Sequence, residues 1–158
     1  MLKLTTKILN LPAKTSDFTL TLPYEKRSIT RQRVMLDQGV EAGLFLERGT
    51  SLKQGDFLQA ETGESVQVLA AVETVSTVYC EDALLLARIS YHLGNRHVPL
   101  EISNGRVRYL HDHVLDAMVR GLGLNVVVEP ARFEPEAGAY AAHHHQQSHP
   151  YISFNHGH

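Results

Sequence analysis

The sequence predicts an α+β protein: an all-β N-terminal half, a mixed second unit and a flexible, histidine-rich C-terminal tail. Through residues 1–73, turn signals recur about every ten residues. From residue 74, strand patterns alternate with helix patterns. Six of the ten histidines fall in residues 143–158. We therefore expect an N-terminal β domain at residues 1–73, a second domain at residues 74–142, and a tail at residues 143–158.

Short apolar stretches between turn signals predict the strands of the first domain. Phe18, Leu20 and Leu22 alternate with threonines, a pattern typical of a strand with one buried face. The predicted strands lie at Leu2–Leu4, Phe18–Leu22, Val34–Leu36, Leu44–Leu46, Phe57–Leu58 and Val66–Ala71. Turns that contain glycine separate most of them. This spacing indicates a small sandwich or barrel without helices.

The second domain begins with a strand over residues 74–80, where β-branched residues alternate with others. Asp82 suits the N-cap of the helix that follows, and Gly94 suits its C′ position. Residues 97–102 read as a second strand. Because proline cannot donate a ladder hydrogen bond, Pro99 requires this strand to lie at a sheet edge.

The rest of the second domain is predicted to contain a third strand, a second helix and a fourth strand. Asn104-Gly105 is a strong hairpin signal, so residues 106–110 return as a third strand. Asp112 can cap a second helix that Gly123 ends, and residues 124–128 read as a fourth strand. The order strand, helix, strand, strand, helix, strand is that of the ferredoxin-like βαββαβ fold, whose second strand is an edge strand. After this strand, residues 133–140 are expected to form an extended arm.

Composition excludes several classes of function. A net charge of −2 argues against nucleic acid as the main partner. No apolar run reaches the roughly 18 residues of a membrane helix, and no signal-peptide core is present. The single cysteine, Cys80, cannot form an intramolecular disulfide and reads as a small buried apolar residue. We therefore expect a soluble, cytoplasmic protein.

The histidine-rich tail predicts metal handling, since neutral imidazole is the commonest ligand for nickel, copper and zinc. Its six histidines are His143, His144, His145, His149, His156 and His158. Such a cluster would bind ions in a multivalent, exchangeable and pH-dependent way, which suits capture and hand-off better than catalysis. The alternative is a solvated end or an expression tag.

Four further histidines lie in the second domain. In His111-Asp112-His113, both imidazoles can face one ion if the backbone is extended, or Asp112 can hold an imidazole N–H from behind. Two ligands alone make a weak site, and the alternative is two polar residues at a helix start. His97 is either a ligand or a structural residue at a strand start. His92 lies near a helix C-terminus, where a charged ring is favoured.

Three motifs resemble those of the UreE family of urease accessory nickel metallochaperones. They are the segments Tyr91–Leu100, Arg108–Leu115 and Phe133–Tyr140. The resemblance implies a first domain similar to a peptide-binding chaperone domain, and a ferredoxin-like domain through which two copies form a homodimer. It implies that His97 is the central nickel ligand and that two copies meet on the two-fold axis. His111 and His113 match an auxiliary pair of some members, and tail histidines would complete the ligand shell.

The resulting functional hypothesis is a non-enzymatic carrier that delivers Ni²⁺ to apo-urease for its dinuclear nickel active site. A urease accessory GTPase and the urease activation complex are the partners that the resemblance implies. Zn²⁺ or Cu²⁺ can also bind such ligands. One alternative is a metal-dependent hydrolase that uses His111, Asp112 and His113, although no general-base carboxylate stands out. Another is a general histidine-rich buffer of nickel or zinc.

Overall fold

The computed structural model describes residues 1–9 and 16–138. The predicted histidine-rich tail therefore lies outside the described residues. Ten strands and three helices are described: β1 (Leu2–Ile8), β2 (Phe18–Leu22), α1 (Tyr24–Arg27), β3 (Arg31–Met35), β4 (Glu41–Phe45), β5 (Phe57–Ala60), β6 (Ser65–Ala70), β7 (Val72–Tyr79), α2 (Ala83–Gly94), β8 (Glu101–Ser103), β9 (Arg106–Leu110), α3 (His113–Gly121) and β10 (Val127–Arg132). None of these helices is long and apolar enough to span a membrane.

The first six strands form one mixed sheet in the order β2-β6-β5-β1-β4-β3. Its two edges meet at Asp37, just after β3: the Asp37 backbone N–H donates to the Thr19 carbonyl oxygen at 2.9 Å. The hydroxyls of Thr19 and Thr21 donate to the Asp37 carboxylate at 2.7 and 2.8 Å. Because the edges of a single sheet are in contact, the barrel describes this unit better than the sandwich.

Helix α1 is an element that the sequence did not predict. It is a single turn of four residues that begins after Pro23. One turn is too short to give a helical hydrophobic period, so the pattern missed it. The first unit is therefore built of strands with one helical turn, and is not all-β as expected.

The second unit has the predicted element order, β7-α2-β8-β9-α3-β10. Its strands form an antiparallel sheet in the order β10-β7-β9-β8. A buried core joins the helices to the sheet: Val78, Ile89, Leu93, Leu100, Val107, Tyr109, Leu115 and Val119. The predicted N-caps are confirmed, because Asp82 accepts from the Leu85 N–H at 3.1 Å and Asp112 caps α3.

In the second unit, the second and fourth strands differ most from their predicted bounds. The second strand, β8, begins at Glu101, so His97 and Pro99 precede it, although β8 is the predicted edge strand. The fourth strand begins at Val127 and runs through Pro130 to Arg132. Because β10 is the other edge of the sheet, one side of this strand needs no ladder donors.

The ends of the helices differ from the prediction at one position. Gly123 has a φ of 89°, as expected for a residue that ends α3. Gly94, in contrast, is the last helical residue of α2 and does not have a positive φ. The left-handed residue after α2 is His97 instead.

Residues 133–136 form an arm that fastens the first unit to the second. Phe133 is fully buried, and its ring makes an edge contact with Tyr24 at a centroid distance of 5.5 Å. The Glu134 N–H donates to the Glu101 carboxylate at 2.8 Å, and the Glu136 N–H donates to the Leu100 carbonyl at 2.7 Å. The arm thus packs against the start of β8.

Arg27 of α1 holds this arm from the other side. Its guanidinium, only 2% exposed, donates to the Glu134 carboxylate at 2.7 Å and also to the Phe133 carbonyl oxygen. The Gln54 N–H donates to the same Glu134 oxygen at 2.8 Å. A buried guanidinium is tolerated only where it is paired in this way. The contacts made by Arg27 therefore depend on the arm.

We expect Arg27→Met to lower the free energy of unfolding by about 2–3 kcal/mol, because the Phe133 carbonyl and the Glu134 carboxylate lose charge-assisted donors. Urea unfolding would measure the loss. Arg33→Met is the matched control: Arg33 is 76% exposed and lies 3.8 Å from Glu41, so its removal should change stability by less than about 0.5 kcal/mol. Equal losses in the two variants would contradict a larger contribution from the buried contacts of Arg27.

Candidate metal-binding site

His97 lies at the end of the turn that follows α2. Its backbone N–H donates to the Gly94 carbonyl oxygen at 3.0 Å. Its φ of 56° places it in the left-handed region, and it is the one non-glycine residue with positive φ in the part of the chain that the structure describes. This conformation disfavours residues that carry a Cβ, so glycine or asparagine usually takes such positions.

The side chain of His97 is exposed. Within residues 1–9 and 16–138, no hydrogen bond to its imidazole is found. The prediction that His97 begins a strand is wrong, because α2 ends by turning back through residues 95–97 before β8. The turn therefore presents an imidazole whose ring nitrogens are available for a ligand.

The second predicted motif lies at the junction between β9 and α3. His111 follows β9, Asp112 is the N-cap, and His113 is the first residue of α3. The Asp112 carboxylate accepts from the backbone N–H groups of Val114 at 2.8 Å and Leu115 at 3.2 Å. These N–H groups lower the pKa of Asp112 below its ordinary value of 3.8. Asp112 therefore acts as a helix cap. Among the described residues its carboxylate makes no hydrogen bond to an imidazole, as the alternative would require.

A different aspartate contacts His111. Asp116 is only 2% exposed, and its Oδ2 lies 3.1 Å from Nδ1 of His111. The hydroxyl of Ser76 on β7 lies 3.1 Å from the same nitrogen. The Tyr109 hydroxyl donates to the other Asp116 oxygen at 2.6 Å, and burial together with this contact raises the pKa of Tyr109.

Sequence reasoning missed this buried cluster, although one signal was present. Asp116 lies on α3 between Leu115 and Val119, both of which face the core. A carboxylate is seldom buried without a partner, so an aspartate beside the apolar stripe of a helix indicates a polar contact inside. The pattern did not reveal that the partners come from β7, β9 and the residue after β9.

The described residues bring the predicted ligands together only in part. Among residues 1–9 and 16–138, no group of three or more His, Cys, Asp or Glu side chains could hold a metal ion. The six tail histidines lie outside the described residues. A tight site usually has three or four protein ligands. A metal ion at His97 therefore needs ligands from beyond these residues.

Neither His92 nor Cys80 belongs to a metal-binding group among the described residues. His92 lies in the last turn of α2, as expected, and its ring contacts the Tyr91 ring edge-on at 5.5 Å. Cys80 is buried and its thiol lies 3.5 Å from the Asp82 carbonyl oxygen. The buried position agrees with the interpretation of Cys80 as a small apolar residue.

Comparison with known proteins gives matches over both units. A family model for the C-terminal domain of the UreE urease accessory protein matches residues 73–158, and one for the N-terminal domain matches residues 4–71. Among curated proteins, urease accessory protein UreE of Alkalilimnicola ehrlichii is 60% identical over 128 residues, covering 81% of this chain and 78% of that protein.

Two further UreE proteins are similar over a comparable length. That of Vibrio parahaemolyticus is 58% identical over 132 residues, which cover 78% of this chain and 83% of the relative. That of Pseudomonas putida strain W619 is 56% identical over 139 residues, covering 85% of this chain and 86% of the relative. The similarity thus extends across both sheets.

We expect the His97→Gly variant to be more stable than the His97→Ala variant by about 1 kcal/mol, because glycine adopts a positive φ without the Cβ clash. His97→Asn should lie between them. Urea unfolding of the three metal-free variants measures the order. Equal stability of the glycine and alanine variants would contradict a left-handed backbone at this position.

The cap at Asp112 predicts a pH dependence. The Leu115 and Val114 N–H groups hold the folded pKa of Asp112 below its unfolded value, so its contribution is complete above that value and is lost as the pH falls through the folded pKa. Asp112→Asn keeps a capping oxygen that does not ionise. Melting temperatures between neutral pH and about pH 2 should fall less steeply for the variant than for the wild type. Parallel curves would contradict this role.

Proposed function

The chain belongs to the UreE family of urease accessory proteins, and on that premise we propose that it binds Ni²⁺ and delivers it to apo-urease. Membership of the family implies a role in urease maturation as an accessory protein and not as a catalytic enzyme. Our more specific proposal is that this role consists of nickel delivery. The observation that carries it is the exposed His97 imidazole on a left-handed backbone.

A strained backbone position is informative about function. Glycine or asparagine would serve the turn after α2 with less strain, so the fold alone gives no reason for a histidine there. The imidazole of His97 is exposed and is a good ligand for Ni²⁺. A residue that costs stability and presents a metal-binding group to solvent is expected where the group itself is needed.

One histidine cannot make a tight site, and a homodimer supplies the second. Leu84, Ala87 and Tyr91 form an exposed stripe along α2, with Leu84 61% and Tyr91 66% exposed. The stripe leads to the turn that carries His97. Apolar surface of this kind favours association. We infer that two copies pair through this part of the second domain, so that symmetry brings two His97 side chains to one ion.

The remaining histidines have supporting roles in this proposal. His111 and His113 form an auxiliary site, and the six tail histidines gather additional ions and complete the shell around the central one. Exchange between such ligands needs no chemistry beyond ligand substitution. Zn²⁺ and Cu²⁺ compete for the same imidazoles, since copper binds most nitrogen sites more tightly than nickel.

The domain proposal corresponds to the two sheets except that its boundary falls within β7, which begins at Val72. We propose residues 1–73 as a partner-binding β domain, residues 74–142 as a ferredoxin-like metal-binding and dimerisation domain, and residues 143–158 as the tail. The strand order β10-β7-β9-β8, with all neighbours antiparallel, supports the ferredoxin-like assignment. The partners would be the urease accessory GTPase and the urease activation complex, in the cytoplasm.

The two alternatives from the sequence have less support. A hydrolase built on His111, Asp112 and His113 needs Asp112 as a free base or ligand, whereas Asp112 is occupied as a helix cap. A simple buffer needs only the tail, which leaves the strained backbone at His97 without a purpose. No contact among the described residues favours either alternative.

Nickel equilibrium dialysis tests the proposal. A chain that ends at Ala142 should bind about one nickel per dimer, because two His97 side chains share one ion, and it should bind that ion less tightly than the full chain, whose tail histidines complete the shell. His97→Gly should lose this ion while keeping or gaining stability, which separates ligand loss from unfolding. His92→Gln, at a neighbouring exposed histidine, is the matched control and should keep it. Tight binding that survives His97→Gly would place the main nickel site at His111 and His113 or on the tail. It would then favour the alternative function, a histidine-rich metal buffer.

A further inference from the structure

We propose that Asp116 is a positioning residue that keeps the proton of His111 on Nδ1 and leaves Nε2 as a free metal ligand. The metal part of this inference rests on the proposed nickel function, whereas the ring state does not. It makes His111 a pre-oriented ligand and distinguishes it from His113. The inference stands on the buried cluster that lies between β7, β9 and α3.

The contacts around Nδ1 set the state of the ring. Oδ2 of Asp116 and Oγ of Ser76 both lie 3.1 Å from Nδ1 of His111. A carboxylate beside a ring nitrogen favours the tautomer in which that nitrogen carries the proton, because the other tautomer directs a lone pair at the negative charge. The proton on Nδ1 leaves the lone pair on Nε2.

The cluster also fixes the carboxylate. Asp116 is 2% exposed, so its oxygens need partners from the protein. The Tyr109 hydroxyl donates to Oδ1 at 2.6 Å, which leaves Oδ2 directed at His111. The Tyr109 hydroxyl is the donor in this contact, because an ionised carboxylate only accepts. The acceptor for His111 is therefore held by a residue of β9 inside the core.

The outer edge of the His111 ring remains accessible. Its side chain is 38% exposed, and within the described residues no group hydrogen-bonds to Nε2. Imidazole ligands of metal ions commonly donate their other N–H to a carboxylate, which raises the basicity of the ligating nitrogen. The Tyr109, Asp116 and His111 arrangement has this form before any ion is bound.

His113 lacks this support. It is exposed at the first position of α3, and among residues 1–9 and 16–138 no hydrogen bond to its ring is found. Its neighbour Asp112 is directed at the backbone N–H groups of the helix. His111 should therefore be the stronger ligand of the pair, with His113 contributing an exposed side chain that has no hydrogen-bonded support.

The ring state can be read by ¹⁵N NMR of the full-length, metal-free protein. In the wild type, the ¹⁵N shifts of His111 should report the proton on Nδ1. Asp116→Asn places an amide against the ring, so Nε2 should gain proton population. Asp112→Asn is the matched control, since the Asp112 carboxylate caps the same helix and makes no hydrogen bond to the His111 ring, and it should leave the ring tautomer unchanged. A second variant, Tyr109→Phe, keeps the Asp116 carboxylate and is used if Asp116→Asn does not fold. In Tyr109→Phe, His111 should retain the proton on Nδ1.

Paramagnetic broadening by Ni²⁺ gives the second readout on the same full-length samples. Asp116→Asn should raise the nickel concentration needed to broaden the His111 ring signals about 10- to 100-fold, with the Asp112→Asn control unchanged. A wild-type His111 protonated on Nε2, or equal broadening in the wild type and Asp116→Asn, would overturn the inference. Failure of the proposed nickel site would appear separately, as His97 ring signals that nickel does not broaden.

Discussion

The backbone at the end of α2 is the constraint on which the candidate site depends. The helix must stop so that the chain can turn back into β8, and it does so with His97 in the left-handed conformation. Ile89 and Leu93 before the turn and Leu100 after it are buried in one core. Because both ends of the turn are anchored in this way, the backbone of His97 is held at a fixed point on the surface, and its exposed imidazole extends from that point.

The two candidate histidines, His97 and His111, are positioned by different parts of the residue. His97 is placed by its backbone, with no side-chain hydrogen bond found among the described residues. His111 is placed by its side chain, through the buried contacts with Asp116 and Ser76. An exposed imidazole without side-chain hydrogen bonds can be shared with a second copy of the chain, whereas a ring held from behind is a pre-oriented ligand.

Sequence patterns predicted the features that depend on neighbouring residues. The strand and helix order of the second unit, the Asn104-Gly105 hairpin and the caps at Asp82 and Asp112 all follow from local preferences. The patterns failed where distant residues decide. A glycine at position 94 suggested a left-handed stop there, but the chain continued the helix and used His97 instead.

The candidate site was predictable to a similar extent. Histidine spacing pointed to His111 and His113, and the family resemblance pointed to His97, whereas Asp116 and Tyr109 became apparent only from the packing of α3 on the sheet. Arg27 was missed for the same reason, since its partners lie more than a hundred residues away in the chain. Its contacts with the arm hold the first unit against β8, so the partner-binding and metal-binding units that we propose are joined beside the turn of His97.

The measurement that tests the central claim most directly is anomalous diffraction at the nickel edge from crystals of the full chain grown with one nickel ion per two chains. We expect a peak between two copies of the chain, about 2 Å from an imidazole nitrogen of His97 in each. Nickel bound elsewhere, with both His97 side chains free of metal, would contradict the account.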